Sequence, residues 1–239
     1  MEPIYSQEFQ ITDNTVDCYG RLKASMILYF VQEVAGQHFS RISMDYESLA
    51  KLGMFWAITR QKVQITRMPC RGETIRLETW PMPTTRVAYP RSVVAYDEAG
   101  NECFRSISIW VLMDVNTRNM ILPGKSGISV PGTLRGMELA APGSLMPKEL
   151  HSCRQRTVSF TDLDRNGHMN NTVYADICVD TMFEHLGAFN PTFFEINYNH
   201  ECRVGDRLNV TLFKGEDNTF FVSGDFSDNT NSFKAKVKM

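Results

Sequence analysis

One feature constrains this chain more than any other: it repeats itself. Asp17-Cys18-Tyr19-Gly20-Arg21-Leu22-Lys23 precedes an apolar helical stretch, and Asp164-Arg165-Asn166-Gly167-His168-Met169-Asn170 precedes another. Asp17 recurs as Asp164 and Gly20 as Gly167, 147 positions on in each case. In the first stretch Met26, Ile27, Phe30, Val31, Val34 and Ala35 fall on one helical face. In the second, Val173, Tyr174, Ile177, Cys178, Met182 and Phe183 do nearly the same. Asn170 or Asn171 is the expected N-cap of the second helix, which would run over residues 170–186, and Gly187 is its expected stop.

Strand-like segments follow each helix. They are Phe55–Arg67, Glu73–Trp80, Arg86–Tyr96 and Cys103–Asp114 in the first half, then Phe193–His200, Asp206–Lys214, Thr219–Phe226 and Ser232–Lys238 in the second. The last alternates strictly, with Phe233, Ala235 and Val237 on one side and Lys234, Lys236 and Lys238 on the other. The reading is α+β: two long helices, each wrapped by an antiparallel sheet. The expected units are residues 1–122 and 151–239. A linker over 123–150 joins them, since nine prolines and glycines fall between Pro123 and Pro147.

Composition narrows the function. The net charge of −2 excludes an ordinary nucleic-acid binder. Six scattered cysteines form no C-x-x-C pair, which argues for reduced thiols and against a zinc site. The first residues lack a basic segment followed by an apolar run, and no apolar run approaches 18 residues, so neither a signal peptide nor a membrane span is expected. The expected location is the cytoplasm.

Two copies of one scaffold control for each other. Where the second copy has Asn166 and His168, the first has Tyr19 and Arg21. Aligning Gly205-Asp206 with Gly72-Glu73 sets Glu201-Cys202 against Met68-Pro69. The second copy thus carries Asp164, Asn166, His168, Glu201 and Cys202 at two related loci, and the first keeps only the aspartate. Singly, each has a bland reading: Asx-turn residues for Asp164 and Asn166, a hydrogen-bonded structural histidine, an exposed strand glutamate, a small core cysteine. Jointly, they suit ester or thioester hydrolysis. Glu201 or His168 would serve as base, Asn166 would position water or carbonyl, and backbone N–H groups at the helix start would receive an oxyanion. A metal held by Asp164, His168 and Glu201 is conceivable but lacks a recognised zinc spacing, so no metal and no cofactor are expected.

The segment Phe160-Thr-Asp-Leu-Asp-Arg-Asn-Gly-His-Met-Asn-Asn-Thr-Val-Tyr174 resembles the hallmark of the acyl-acyl carrier protein (acyl-ACP) thioesterase family. Tyr198-Asn-His-Glu-Cys202 resembles its second catalytic segment, usually Tyr-Arg-Arg-Glu-Cys, with Asn199-His200 replacing the arginine pair. Trp56-Ala-Ile-Thr-Arg60, Glu78-Thr-Trp80 and Trp110-Val-Leu-Met-Asp114 resemble N-terminal signatures of the family. The resemblance implies a tandem double-hotdog fold and release of free fatty acid from acyl carrier protein in fatty acid biosynthesis. It also implies functional roles for Asp164, Asn166, His168 and Glu201, with Cys202 debated. Either Glu201 and His168 activate water, or Cys202 attacks as a thiolate with His168 as base. The first is favoured, on the ground that the neighbouring Glu201 carboxylate should hold the thiol protonated. The catalytically degenerate first half would house the acyl chain around Met26, Ile27, Phe30 and Val31. An acidic carrier would dock on Arg60, Lys62, Arg67, Arg71 and Arg76. Chain length and oligomeric state are left open, a homodimer included. An acyl-CoA thioesterase, another hotdog enzyme such as a hydroxyacyl dehydratase, and a non-catalytic acyl-binding module are the alternatives.

Overall fold

The computed structural model describes residues 3–145 and 149–239. The chain divides into two compact units, residues 1–142 and 143–239. The first contains β1 (Tyr5–Gln10), α1 (Ala24–Arg41), α2 (Tyr46–Lys51), β2 (Met54–Ile65), β3 (Thr74–Pro81), β4 (Tyr89–Tyr96), β5 (Glu102–Asp114), β6 (Met120–Ile121) and the short α3 (Pro123–Ser126). Its strands run antiparallel in the order β1-β3-β4-β5-β2, with β6 on β5. The second contains β7 (Glu149–Thr157), α4 (Val173–Leu186), β8 (Phe193–Tyr198), β9 (Arg207–Lys214), β10 (Thr219–Asp225) and β11 (Asn231–Lys238). Its order, β7-β9-β10-β11-β8, is the same topology. Among the described residues no helix is long and apolar enough to cross a membrane.

The eight anticipated strands form within a few residues of their expected ends; β4 begins later, at Tyr89 rather than Arg86. The sequence reading missed the strand that opens each unit. β1, Tyr-Ser-Gln-Glu-Phe-Gln, is an edge strand whose residues are alternately half-buried and exposed, so its polar side chains mask a period-2 pattern. β7, which among the described residues pairs only with β9, is similarly polar.

α1 lays Ile27, Leu28, Phe30, Val31, Val34, Ala35 and Phe39 against its sheet. α4 buries Tyr174, Ala175, Ile177, Cys178 and Met182, but Phe183 is 43% exposed and falls outside the expected stripe. Gly187 ends α4 in the left-handed region, its N–H bonding the Phe183 carbonyl at 2.9 Å. The N-cap expectation needs correcting: the cap position is Thr172, and α4 begins at Val173. Asn170 instead folds its own turn, its Oδ1 accepting from the backbone N–H and the hydroxyl of Thr172, each at 3.0 Å.

The Pro/Gly-rich segment is no free tether. Residues 123–142 belong to the first unit and strap the sheet face opposite α1. Trp80 Nε1 donates to Glu138 Oε1 at 3.1 Å and Arg105 Nη1 to the Met137 carbonyl at 2.7 Å. This second cover explains why every residue of β4 except Tyr96 is buried. Residues 146–148 of the expected linker lie outside the described residues.

Candidate active site

The catalytic candidates sit on two turns of the second unit. In the first, the Asp164 backbone N–H bonds the His168 carbonyl at 2.8 Å, and the Gly167 N–H returns to the Asp164 carbonyl at 3.0 Å. Gly167 closes it at φ 77°, where a side chain would be strained. Asp164 Oδ1 accepts from the backbone N–H of Asn166 at 2.8 Å and of His168 at 3.4 Å. The Asn166 carboxamide donates to Asp164 Oδ2 at 3.4 Å. Asp164 therefore does what its Asx-turn reading says, and in doing so it aims the residues two and four positions on.

The second turn is brought to the first by one backbone bond, Met169 N–H to the Cys202 carbonyl, 2.8 Å. The result is a side-chain pair: His168 Nε2 lies 3.1 Å from Glu201 Oε2, with His168 14% and Glu201 44% exposed. An imidazole with its body buried and a partly solvated carboxylate on one ring nitrogen can shuttle a proton to or from a water.

The first unit repeats this backbone bond for bond. Asp17 N–H meets the Arg21 carbonyl at 2.8 Å, Gly20 N–H meets the Asp17 carbonyl at 3.0 Å, and Gly20 stands at φ 75°. Leu22 N–H bonds the Pro69 carbonyl at 2.8 Å, so Pro69 occupies the place of Cys202, as the sequence register expects. The side chains differ. Arg21 folds back onto its own Asp17, Nη2 to Oδ2 at 2.9 Å, and no imidazole–carboxylate pair is formed at that turn.

Cys202 faces elsewhere. It is fully buried, and its Sγ lies 2.9 Å from Ser232 Oγ, whose hydroxyl in turn donates to the His200 carbonyl at 3.1 Å. Burial pushes the Cys202 thiol up, hydrogen bonds to Ser232 and Tyr174 pull it back, and Asp206 adds to the upward push. The thiol is held protonated, but burial is the main cause and Asp206 the acidic one, not the adjacent Glu201. Tyr174 was read only as part of the apolar helical stripe and Ser232 only as the start of a strand: they reach the site from α4 and β11, and nothing in their spacing announces it.

The oxyanion expectation at the helix start is also altered. The Thr172 and Val173 N–H groups already bond Asn170, through its side chain and its carbonyl. Of the acyl-binding candidates, Ile27, Phe30 and Val31 are buried in the α1–sheet layer, Phe30 stacking on Phe9 at 4.5 Å, and Met26 is half-buried. The five docking cations are engaged within the first unit. Arg60 and Lys62 share a strand face and bind the 140–142 carbonyls, at 3.2 Å to Pro142 and 2.8 Å to Ala140. Arg67 pairs with Glu73 at 2.8 Å, Arg71 with Asp13, and Arg76 with Glu78.

Residues 2–122 match the family model of the acyl-ACP thioesterase N-terminal domain, and residues 146–238 that of the C-terminal domain. The palmitoyl-ACP thioesterase of Gossypium hirsutum is 24% identical over 90% of this chain and 56% of its own length. The oleoyl-ACP thioesterase of Coriandrum sativum is 24% identical over 84% of this chain and 60% of its own length. The chain thus spans less than two thirds of either plant protein. A crystal structure of an acyl-ACP thioesterase from Bacteroides thetaiotaomicron superposes with TM-score 0.81 at 23% identity, covering 99% of this chain and 97% of that one. The 12:0-ACP thioesterase of Umbellularia californica gives 0.78 at 19% identity, covering 98% and 92%. The fold is the double hotdog that the resemblance implied. With both domain models matched in order along almost its whole length, the chain belongs to the acyl-ACP thioesterase family.

Proposed function

We propose that this protein hydrolyses the thioester of acyl-ACP, releasing free fatty acid during fatty acid synthesis in the cytoplasm, with the second unit as its catalytic half. The observation that carries the mechanism is the 3.1 Å His168–Glu201 pair, which the otherwise matching turn of the first unit lacks. Water is the nucleophile. The pair takes its proton as the oxygen attacks the thioester carbon, and the same groups return a proton to the departing thiolate. Asp164 is a positioning residue, holding the turn that carries His168. Asn166, exposed beside it, orients the water or the carbonyl. A protonated, buried Cys202 supports this route over thiolate attack, because a thiol is a poor nucleophile.

The first unit takes the acyl chain along α1, past Met26, Ile27, Phe30 and Val31. The family members above are named for palmitoyl, oleoyl and 12:0 groups, so chain length is a matter for assay. The carrier approaches over the face of Arg60, Lys62, Arg67, Arg71 and Arg76. Turnover of acyl-ACP, acyl-CoA and hydroxyacyl substrates tests the assignment. Hydrolysis of acyl-ACP with the highest kcat/KM supports it. A preference for acyl-CoA would move the protein to the acyl-CoA thioesterase reading, and binding without turnover would leave an acyl-binding module.

A further inference from the structure

The first unit buries a polar cluster that the hydrolytic reading does not use. Arg91 lies within β4, on the face that α1 covers, and is 1% exposed. Its Nη1 donates to His38 Nδ1 at 3.0 Å and to Thr79 Oγ1 at 3.1 Å, and its guanidinium carbon stands 4.3 Å from the centre of the Phe39 ring. A guanidinium has donors only, so His38 Nδ1 must be the acceptor and His38 the neutral, Nε2–H tautomer. None of these three partners supplies a negative charge. Burial pulls the Arg91 guanidinium down to about 9, which still leaves it cationic at neutral pH.

The remaining donors face no acceptor. Nε and Nη2 of Arg91 meet none among the described residues. Those two N–H groups form the side-on edge of a guanidinium, two parallel donors spaced for the two oxygens of a carboxylate. The strand register extends the cluster across the sheet. Arg91 is paired with Ser108, and Ser108 with Gln61, so the three make one row on the α1 side. Gln61 is 0% exposed, yet neither its Oε1 nor its Nε2 has a partner among the described residues, and the same holds for Ser106 Oγ, two residues along β5 from Ser108. The Ser108 hydroxyl is already taken by Trp110 Nε1 at 2.7 Å. Buried polar groups are ordinarily paired, and a buried cation is ordinarily paired with an anion. A cation, a carboxamide and a hydroxyl left short of partners on one strip, between apolar Val63, Val93 and Phe39, form a receptor for an oxygen-rich group with an apolar body.

We propose that the interior of the first unit binds an aliphatic carboxylate, its two oxygens on the Nε–Nη2 edge of Arg91, with Gln61 and Ser106 closing around it. Both ends of the Gln61 carboxamide are unanchored, so that side chain can turn to meet the ligand. The carboxylate has two conceivable sources, a free carboxylic acid of the kind the hydrolysis releases or an acyl group bearing a second carboxylate at its far end. The choice of source rests on the thioesterase reading; the binding does not.

The test is calorimetric titration of the full-length protein with decanoate and with decanol, which share a tail. Decanoate should bind at least about tenfold more tightly. Arg91→Met should abolish that preference while remaining folded, because replacing an uncompensated buried charge by an apolar side chain is not expected to destabilise. Arg91→Gln, checked by circular dichroism, serves as the second variant, and Gln61→Leu should weaken decanoate several-fold. Equal binding of decanoate and decanol by the wild type, binding of neither, or an undiminished preference in folded Arg91→Met would overturn the proposal. Turnover then separates the sources. Faster hydrolysis of an ω-carboxyacyl thioester than of the plain acyl thioester, lost in Arg91→Met, assigns the site to the acyl group; equal hydrolysis assigns it to the free acid. A protein that hydrolyses no thioester but still binds decanoate through Arg91 would refute the enzymatic reading and leave this one standing.

Discussion

The turns at Asp17–Arg21 and Asp164–His168 have the same backbone and opposite uses. Each is closed by an aspartate accepting backbone N–H groups, each turns on a glycine in the left-handed region, and each is latched to a second loop by a 2.8 Å backbone bond, the first with a further one from the Arg71 N–H to the Gly20 carbonyl at 2.9 Å. The first spends its variable side chain on itself, Arg21 returning to Asp17. The second spends its on Glu201, across the gap between two loops. Main-chain bonds hold the frame, so the side chains two and four residues after the aspartate were free to diverge. Only in the second copy do the side chains face each other instead of the frame, which is why the proposed chemistry is placed there.

The largest expected effect breaks the comparison at that pair. His168→Ala and Glu201→Gln should each lower kcat for acyl-ACP by at least about 10²-fold, as for lost proton-transfer groups. Arg21→Ala, at the matching position, should change it less than about twofold. A near-normal His168→Ala enzyme would remove the catalytic assignment. The next pair sharpens it. Asp17→Ala and Asp164→Ala each lose a turn latch and should cost similar stability, on the order of 1–2 kcal/mol in denaturant titration. Only Asp164→Ala should also lose roughly tenfold or more in kcat. Equal activity losses would mean that Asp164 serves the fold alone.

Cys202→Ala comes third, with at least about a tenth of wild-type kcat retained and no acyl-enzyme trapped by rapid quench. A dead but folded variant, with an acyl group found on Cys202 in the wild type, would reinstate nucleophilic cysteine catalysis. Smaller still, enlarging or trimming Met26 or Phe30 should shift the preferred chain length, since one methylene in an apolar pocket is worth about 1–3 kcal/mol. An unmoved product profile would separate α1 from the acyl chain. The smallest effect is expected from reversing Arg71 and Arg76. Their carboxylate partners already blunt their charge, so KM for acyl-ACP should rise only a few-fold, with acyl-CoA unaffected. Equal changes for both substrates would show that the patch does not dock the carrier.

Much of this was legible in the amino-acid string because it recurs there. The strict alternation of β11 and the two apolar helical stripes are local patterns; the 147-residue offset picks out Asn166 and His168 as residues that differ between copies, and the match of Gly205-Asp206 to Gly72-Glu73 picks out Glu201. Three kinds of information were not local. β1 and β7 are polar strands whose order depends on a partner far along the chain. Ser232 and Tyr174 touch Cys202 from distant elements. Arg91 reads as a surface residue in a strand, and only the register of β4 on β5 and β5 on β2 places it in a buried row with Gln61.

The edge strand β1 of the first unit has a consequence for synthesis. Gln10 leaves the ribosome 64 positions ahead of its partner Thr74, and Tyr5 74 positions ahead of Thr79. At translation rates of about 5–20 residues per second, β1 waits several seconds with its ladder groups unpaired. An apolar segment so exposed would seek other nascent chains. Ser6, Gln7, Glu8 and Gln10 leave it only Tyr5 and Phe9 as large apolar side chains, too little to nucleate association before β3 arrives. The polarity that hides β1 from a pattern search is thus what lets it wait.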